Sequence, residues 1–142
     1  MDIDEAVRLR SSIVRLARSL NASAEDHGLT PTQASVLGIV AVRGPLQVVD
    51  LSRIENLNAS MTSRVVAALQ SAGLISREPG AADRRTAVVA VTPQGRKVHR
   101  RIREQRAARM QKAAERLDAA TRRRLLDALD AFEELARVAT QE

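Results

Sequence analysis

The sequence predicts a mainly α-helical chain with one small β-hairpin, and three observations support this prediction. Apolar residues recur at intervals of three and four over most of the chain, which is the period of a buried helix face. A Thr-Pro pair, which suits a helix start, occurs at residues 30–31 and again at residues 92–93. Two short apolar runs, residues 74–77 and 86–91, flank a charged segment rich in turn residues. We therefore expect helices around a single hairpin.

Composition narrows the possible functions. The 142 residues carry a net charge of +6 and the sequence pI is about 11.2, which favours a polyanionic partner such as nucleic acid. Phe132 is the only aromatic residue, and because single-strand binders usually stack bases on aromatic side chains, duplex DNA is the better candidate. The lack of cysteine excludes disulfides, thiolate metal sites and thiol-based redox sensing.

Several other classes of protein are disfavoured. No apolar run approaches about 18 residues and the chain begins with an acidic segment, so we expect no membrane span, no signal peptide and a cytoplasmic location. His27 and His99 have no further ligands at metal-binding spacing, so no metal site is expected. The serines lack a plausible His/Asp arrangement and there is no glycine-rich phosphate loop. We therefore expect neither an enzyme nor a cofactor.

Two helices are predicted in the first third of the chain. The first covers residues 2–24, and its apolar stripe needs cover from the domain or from a second subunit. The second starts at Thr30, which can form a capping box with Gln33, and ends near Arg43. The stripe of the first helix comprises Leu9, Ile13, Leu16 and Leu20.

A helix-turn-helix is predicted next. An extended segment at residues 47–50 precedes a short helix that turns Leu51 and Ile54 inward. Asn58 then caps a longer helix, which Gly73 ends as a left-handed residue. The predicted buried face of this longer helix comprises Met61, Val65, Leu69 and Ala72, with Ala68 beside them.

The hairpin and two further helices complete the chain. The loop at residues 78–85 is rich in turn residues and ends in two arginines, and a long helix follows the hairpin to about Leu117. Another helix is predicted from about Asp118 to Ala139, with apolar residues spaced as in a coiled-coil seam. Helix, turn, helix, strand, basic loop and strand together predict a winged helix-turn-helix, a module that reads DNA. The seam comprises Leu125, Leu129, Phe132, Ala136 and Ala139.

The longer helix of this motif has a polar outer face, which we interpret as the DNA-reading surface. Arg64 is expected in the first turn, where a positive charge is mildly unfavourable, so a contact with phosphate or guanine would account for it. The alternative is a solvated surface arginine. Ser60, Thr62 and Ser63 are either capping residues or donors of hydrogen bonds to phosphate.

The tip of the predicted wing carries two adjacent arginines, Arg84 and Arg85. One can brace Asp83 while the other projects, and a narrow minor groove attracts a projecting arginine. The residues alone do not decide which of the two projects.

These motifs together resemble those of MarR-type (multiple antibiotic resistance) transcription regulators. The resemblance rests on GLISR at residues 73–77, DRR at residues 83–85 and VTPQG at residues 91–95. Two weaker matches are LTPTQ at residues 29–33 and DLS at residues 50–52. The resemblance covers nearly the whole chain, and the one departure is valine at position 91, where leucine is usual in the family.

The resemblance implies a single domain, residues 1–142, that forms a homodimer and binds a pseudo-palindromic operator in double-stranded DNA. Residues 1–29 and 96–142 would form the dimerisation helices, and residues 30–95 the winged module. Asp83 and Arg77 would orient the wing, and Arg85 would enter the minor groove. The recognition helix would place Ser60, Thr62, Ser63 and Arg64 in the major groove. Leu9, Ile13, Leu125, Leu129 and Phe132 would lie in the dimer interface.

The resemblance further implies a repressor that responds to a small aromatic or anionic effector, whose binding residues no motif marks. The alternative function is a protein–protein adaptor that uses the winged scaffold without reading DNA sequence. The basic wing disfavours the adaptor, as does the run of charge that follows it. Arg96, Lys97, Arg100, Arg101 and Arg103 in that run are candidates for the DNA side.

Overall fold

The computed structural model describes residues 1–78 and 86–139 of the chain, apart from the side chain of Ser23. This part contains seven helices and three strands and divides into two compact units, Met1–Arg106 and a second that starts at Ala107. In chain order the elements are α1 (Ile3–Glu25), α2 (Pro31–Arg43), β1 (Leu46–Gln47), α3 (Val48–Ile54), α4 (Ala59–Ser71), β2 (Ile75–Glu78), β3 (Val88–Val91), α5 (Pro93–Glu115), α6 (Ala119–Asp127) and α7 (Leu129–Ala139).

The predicted helix starts are confirmed at α2 and α4. The backbone N–H of Gln33 donates to Thr30 Oγ1 at 3.2 Å, and the N–H of Thr30 donates to Gln33 Oε1 at 3.0 Å. Asn58 Oδ1 accepts the N–H of Met61 at 2.8 Å. These caps satisfy backbone donors that the first helical turn leaves without an intrahelical partner.

The predicted hairpin is confirmed, and a third strand joins it. The sheet is antiparallel with the order β1-β3-β2, and Leu46 of β1 pairs with Val89 of the central strand. Of the extended segment expected at residues 47–50, only Gln47 lies in a strand, because α3 already begins at Val48.

The core of the first unit is built by α2, α3, α4 and the sheet. Leu37, Leu51 and Leu69 each have no exposed surface, and Ile75 and Val89 bring the sheet into the same cluster. The end of α1 and the first half of α5 also contribute to it. Their buried residues are Ala24 from α1 and Val98 and Ile102 from α5.

A close junction joins the end of α4, the sheet and the start of α5. The hydroxyl of Thr92 donates to the carbonyl oxygen of Gly73 at 2.6 Å and accepts the N–H of Gly95 at 3.0 Å. A Cβ atom on Gly95 would lie 1.9 Å from the carbonyl oxygen of Leu74, so only glycine fits there. The junction fixes the strands of the wing against the helix that precedes them.

The second unit consists of the end of α5 with α6 and α7. The single helix predicted over residues 118–139 is interrupted at Ala128, which ends α6 before α7 starts. Asp118 caps α6 by accepting the N–H of Thr121 at 2.9 Å, and this bond holds the pKa of Asp118 below its usual value. The guanidinium of Arg122 donates to the carbonyl oxygens of Ala114 and Glu115 at the end of α5 and to that of Leu117, which follows the helix.

Candidate nucleic-acid interface

The turn between α3 and α4 presents the N-terminal end of α4 to solvent. Asn56 adopts a left-handed conformation with φ of 53°, and Asn58 begins α4 two residues later. Asparagine is among the residues that tolerate this conformation best. The short helix, tight turn and longer helix expected from the sequence are therefore present.

The buried face of α4 differs from the predicted one. Val65 and Leu69 are buried as expected, but Met61 is 44% exposed, and Ala68 and Ala72 also face solvent. The helix buries Thr62 and Val66 in their place. The four buried positions follow i, i+3, i+4, i+7 spacing. The sequence fits this face as well as the predicted one, provided that a threonine can be buried among the apolar residues.

The prediction that Thr62 is exposed is therefore wrong. Its side chain is fully buried, its hydroxyl donates to the carbonyl oxygen of Asn58 at 3.0 Å, and it lies 2.9 Å from the hydroxyl of Ser52 on α3. Ser52 Oγ also lies 3.1 Å from the carbonyl oxygen of Val48. Because these bonds satisfy the hydroxyl, Thr62 can replace an apolar residue in the contact between α3 and α4.

The other three predicted residues of α4 lie on its exposed side. Ser60, Ser63 and Arg64 are all exposed. Arg64 is the sixth residue of α4 and so lies in the second turn, not the first. The expected conflict with the helix dipole is therefore weak, because that effect fades beyond the first turn. The exposed side contains no acidic residue, which leaves the charge of Arg64 uncompensated on α4.

Only part of the predicted wing can be located. Arg77 lies in β2, is half-buried and pairs with Val89 of β3. Asp83, Arg84 and Arg85 lie outside the described residues.

Met61 is the residue of this surface that the sequence reasoning missed. It is exposed one turn before Arg64 on the same helix, where side chains three residues apart are neighbours. Met61 was predicted to be buried because the buried face of α4 was assigned to the wrong side of the helix. The signal that could have found it was Val66, an apolar residue that the predicted face left outside the core.

The residues predicted for dimerisation lie on helix faces that their own chain covers only in part. Leu9 is half-buried, and the other four are exposed. Their exposed fractions are 43% for Ile13, 38% for Leu125, 48% for Leu129 and 38% for Phe132.

The described part of the chain lacks two further features. Residues 1–78 and 86–139 contain no group of three or more His, Cys, Asp or Glu side chains placed to hold a metal ion. None of their helices combines the length and apolar character needed to cross a membrane.

Comparisons with known proteins agree with this geometry. The model of the MarR family matches residues 29–87. The chain is similar to RV1404 from Mycobacterium tuberculosis, with 30% sequence identity over 94% of each chain and a TM-score of 0.73. It shares its fold with the transcriptional regulator Tm0710 from Thermotoga maritima, at 23% identity over 99% of each chain and a TM-score of 0.76. It also shares its fold with Staphylococcus aureus MarR in complex with salicylate and kanamycin, at 14% identity, 98% of this chain, 90% of that chain and a TM-score of 0.75. No curated protein matches the chain.

Proposed function

The chain belongs to the MarR family of transcriptional regulators, and from that premise we propose that it represses transcription as a homodimer bound to an inverted repeat in double-stranded DNA. A small aromatic or anionic effector would lower its affinity for that site. The observation that carries the proposal is the exposed side of α4, where Ser60, Ser63 and Arg64 face solvent without any acidic neighbour on the helix.

Arg64 is the residue that we assign to base reading. A guanidinium can donate two hydrogen bonds to a guanine in the major groove, which contributes roughly 1–3 kcal/mol of discrimination against another base. Ser60 and Ser63 are suited to a different task, because hydroxyls and the N–H groups of a helix N-terminus bind phosphate oxygens. The helix would thus be positioned by phosphates and would read sequence through Arg64.

The wing would add a minor-groove contact. Arg77 lies in β2, the strand that precedes the loop, and we assign it to orienting the wing together with Asp83, which would pair with an arginine. We assign the groove contact to Arg85, with Arg84 as the alternative. An arginine in a narrow A·T-rich minor groove senses shape and potential more than base identity.

The assembly follows from the apolar faces of α1, α6 and α7. Residues 1–29 and 96–142 would form the dimerisation region, and residues 30–95 the DNA-binding module. A two-fold axis would place two recognition helices on half-sites about 10 bp apart, centre to centre. The interface would include Leu9, Ile13, Leu125, Leu129 and Phe132.

The effector belongs to the proposal because a protein of the same fold, Staphylococcus aureus MarR, binds salicylate. Salicylate is an aromatic anion, and the present chain carries a net charge of +6. A ligand lowers DNA affinity only if it binds the DNA-free conformation more tightly. Salicylate is therefore the first effector to test.

Salt-titrated binding curves of single variants test the proposal. The operator would first be selected from a random duplex library, which also reveals its symmetry. Arg64→Ala should weaken the free energy of operator binding by roughly 1–3 kcal/mol and should relax the base preference at one position in each half-site. Arg85→Ala should weaken binding to all sites and reduce the salt slope by about one charge per wing. Glu133→Gln, which alters a charge on α7, serves as the control and should leave the affinity for DNA and its salt slope unchanged.

Two outcomes would contradict this scheme. Selection of no common sequence, with affinity that depends on salt alone, would favour an adaptor that binds DNA only through its charge. Equal weakening of every sequence by Arg64→Ala would make that residue a phosphate contact and would pass base reading to other residues of α4.

A further inference from the structure

We propose that Met61 recognises a thymine of the operator by packing its side chain against the C5-methyl group of that base in the major groove. The proposal rests on the proposed function, in which α4 is the recognition helix, and adds an apolar contact to the hydrogen bonds of Arg64. Met61 is the third residue of α4 and is 44% exposed. Residues at the N-terminal end of a recognition helix are those that contact base edges.

The neighbouring positions 61 and 62 reverse the usual distribution of polar and apolar side chains. Thr62 is fully buried, whereas the larger and apolar Met61 is exposed. The buried hydroxyl of Thr62 donates to the carbonyl oxygen of Asn58 and lies 2.9 Å from that of Ser52. One exposed apolar residue is common on protein surfaces, but here it stands next to a polar residue that has taken the buried position. The arrangement leaves apolar surface in water that a contact with DNA would cover.

The outward position of Met61 is fixed by hydrogen bonds at the start of α4. The N–H of Met61 donates to Asn58 Oδ1 at 2.8 Å, and the hydroxyl of Thr62 connects the helix to Ser52 of α3. A rotation of α4 that buried Met61 would separate these two hydroxyls. The backbone that presents Met61 is therefore in place before DNA binds, so that binding has to order only the side chain.

The distance from Met61 to Arg64 determines where the thymine should lie. Met61 is the only large apolar residue exposed on α4, a helix that the structure describes over its whole length. Arg64 follows three residues later, and side chains at this spacing have Cβ atoms about 5–6 Å apart. Successive base pairs are separated by about 3.4 Å. We therefore expect the thymine one or two base pairs from the guanine that Arg64 contacts.

Thymine is the base that an apolar side chain selects. Of the four bases, it alone presents a methyl group in the major groove, and apolar side chains contact this group. The methionine side chain is unbranched, flexible and polarisable, so it can adapt to a methyl group at either of the two expected positions. The hydroxyls of Ser60 and Ser63 beside it suit phosphate oxygens instead.

The experiment replaces the thymines of the selected operator by deoxyuridine, one position at a time and in both half-sites. Deoxyuridine lacks only the methyl group and keeps the base pair. At one position the replacement should weaken binding of the unmodified full-length protein by about fifteenfold, because burying one methyl-sized group is worth about fourfold in each half-site. Equilibrium titrations of labelled duplexes at constant salt measure this factor.

Three variants assign the effect of the methyl group to one side chain. Met61→Ala should weaken binding to the thymine operator by at least about fifteenfold and should bind the deoxyuridine operator equally well. Alanine is the best helix former, so this variant should fold. Met61→Leu keeps an apolar side chain of similar volume and should retain the deoxyuridine effect. Met110→Ala, which shortens a methionine of α5 that is 37% exposed, is the matched control and should also retain it.

Two results would overturn the contact between Met61 and thymine. One is a deoxyuridine effect that persists in Met61→Ala, which would assign Met61 to supporting α4. The other is the absence of a deoxyuridine effect at every position in the unmodified protein. In both cases Arg64→Ala would still relax its own base position, so the proposed function would stand. Selection of no common DNA sequence would instead overturn the proposed function and the thymine contact together.

Discussion

The winged module and the C-terminal helices differ in how they use their apolar residues. Every buried hydrophobic residue of the described chain lies between Ala24 and Ile102. By contrast, α6 and α7 bury no residue at all. Six of their large apolar side chains are between 38% and 56% exposed, namely Leu125, Leu126, Leu129, Phe132, Leu135 and Val138.

This difference separates the apolar residues that form the folded core from the apolar residues that remain exposed and can form an interface. The buried cluster of the first unit is formed by its own helices and sheet. A contiguous apolar face on α6 and α7 is of the kind that marks an interaction site. The same holds for α1, where Ile3, Val7 and Leu16 are from 49% to 82% exposed. We infer that assembly and folding can be perturbed separately.

The largest expected effect is the loss of association in Phe132→Glu. Burying a phenylalanine side chain contributes roughly 1.5–3 kcal/mol, and a homodimer would contain two copies. The variant should therefore raise the dimer dissociation constant by at least about 100-fold. Sedimentation velocity over a concentration series measures this, and Glu133→Gln on the same helix is the matched control.

Leu69→Ala provides the contrast within this test. Leu69 is fully buried, so its truncation should lower the free energy of unfolding by roughly 2–5 kcal/mol. If Phe132→Glu left the protein dimeric, the C-terminal helices would not be the interface. An unmodified protein that is a folded monomer at micromolar concentration would contradict the homodimer itself.

A smaller effect should distinguish the two faces of α4. In Thr62→Val the carbonyl oxygen of Asn58 still accepts the N–H of Thr62 at 3.0 Å, and Ser52 can still donate to Val48. Because both former partners of the hydroxyl keep a hydrogen bond, the free energy of unfolding should fall by only about 0.5–1.5 kcal/mol. Ser63→Ala should leave the midpoint of urea unfolding unchanged and weaken DNA binding. The reverse pattern would mean that Thr62 is the residue that faces DNA.

The order of elements could be predicted because their signals are local. Capping residues such as Thr30 and Asn58 act within one helical turn, and the Thr92-Gly95 junction lies within four residues of sequence. The MarR-family membership followed from such local motifs. The interruption at Ala128 was missed because neither proline nor glycine marks it.

The orientation of α4 could not be predicted, because it depends on a partner far away in sequence. Thr62 was assigned to solvent on polarity alone, and its hydrogen bond to Ser52 ten residues earlier is what makes its burial acceptable. The pairing of the predicted extended segment with the hairpin was missed for the same reason, since Leu46 and its partner Val89 are far apart in sequence. The exposure of Met61 was missed with the orientation of α4, because the predicted buried face of α4 included Met61 and left out Val66.

The smallest expected effect concerns pH and the first unit alone. Since burial lowers the pKa of His99 in the folded state, the unfolded chain, with a usual value of 6.5, binds more protons. The stability associated with neutral His99 is therefore fully present above about pH 6.5 and is lost as the pH falls through the lowered pKa. Unfolding midpoints in urea between pH 8 and pH 5, in phosphate-free buffer, should fall with pH in the unmodified protein and fall less in His99→Gln. Arg103→Gln should reduce the slope without removing it, because burial is the larger cause and the guanidinium the smaller one. A slope that is the same in all three proteins would assign the pH dependence to groups other than His99.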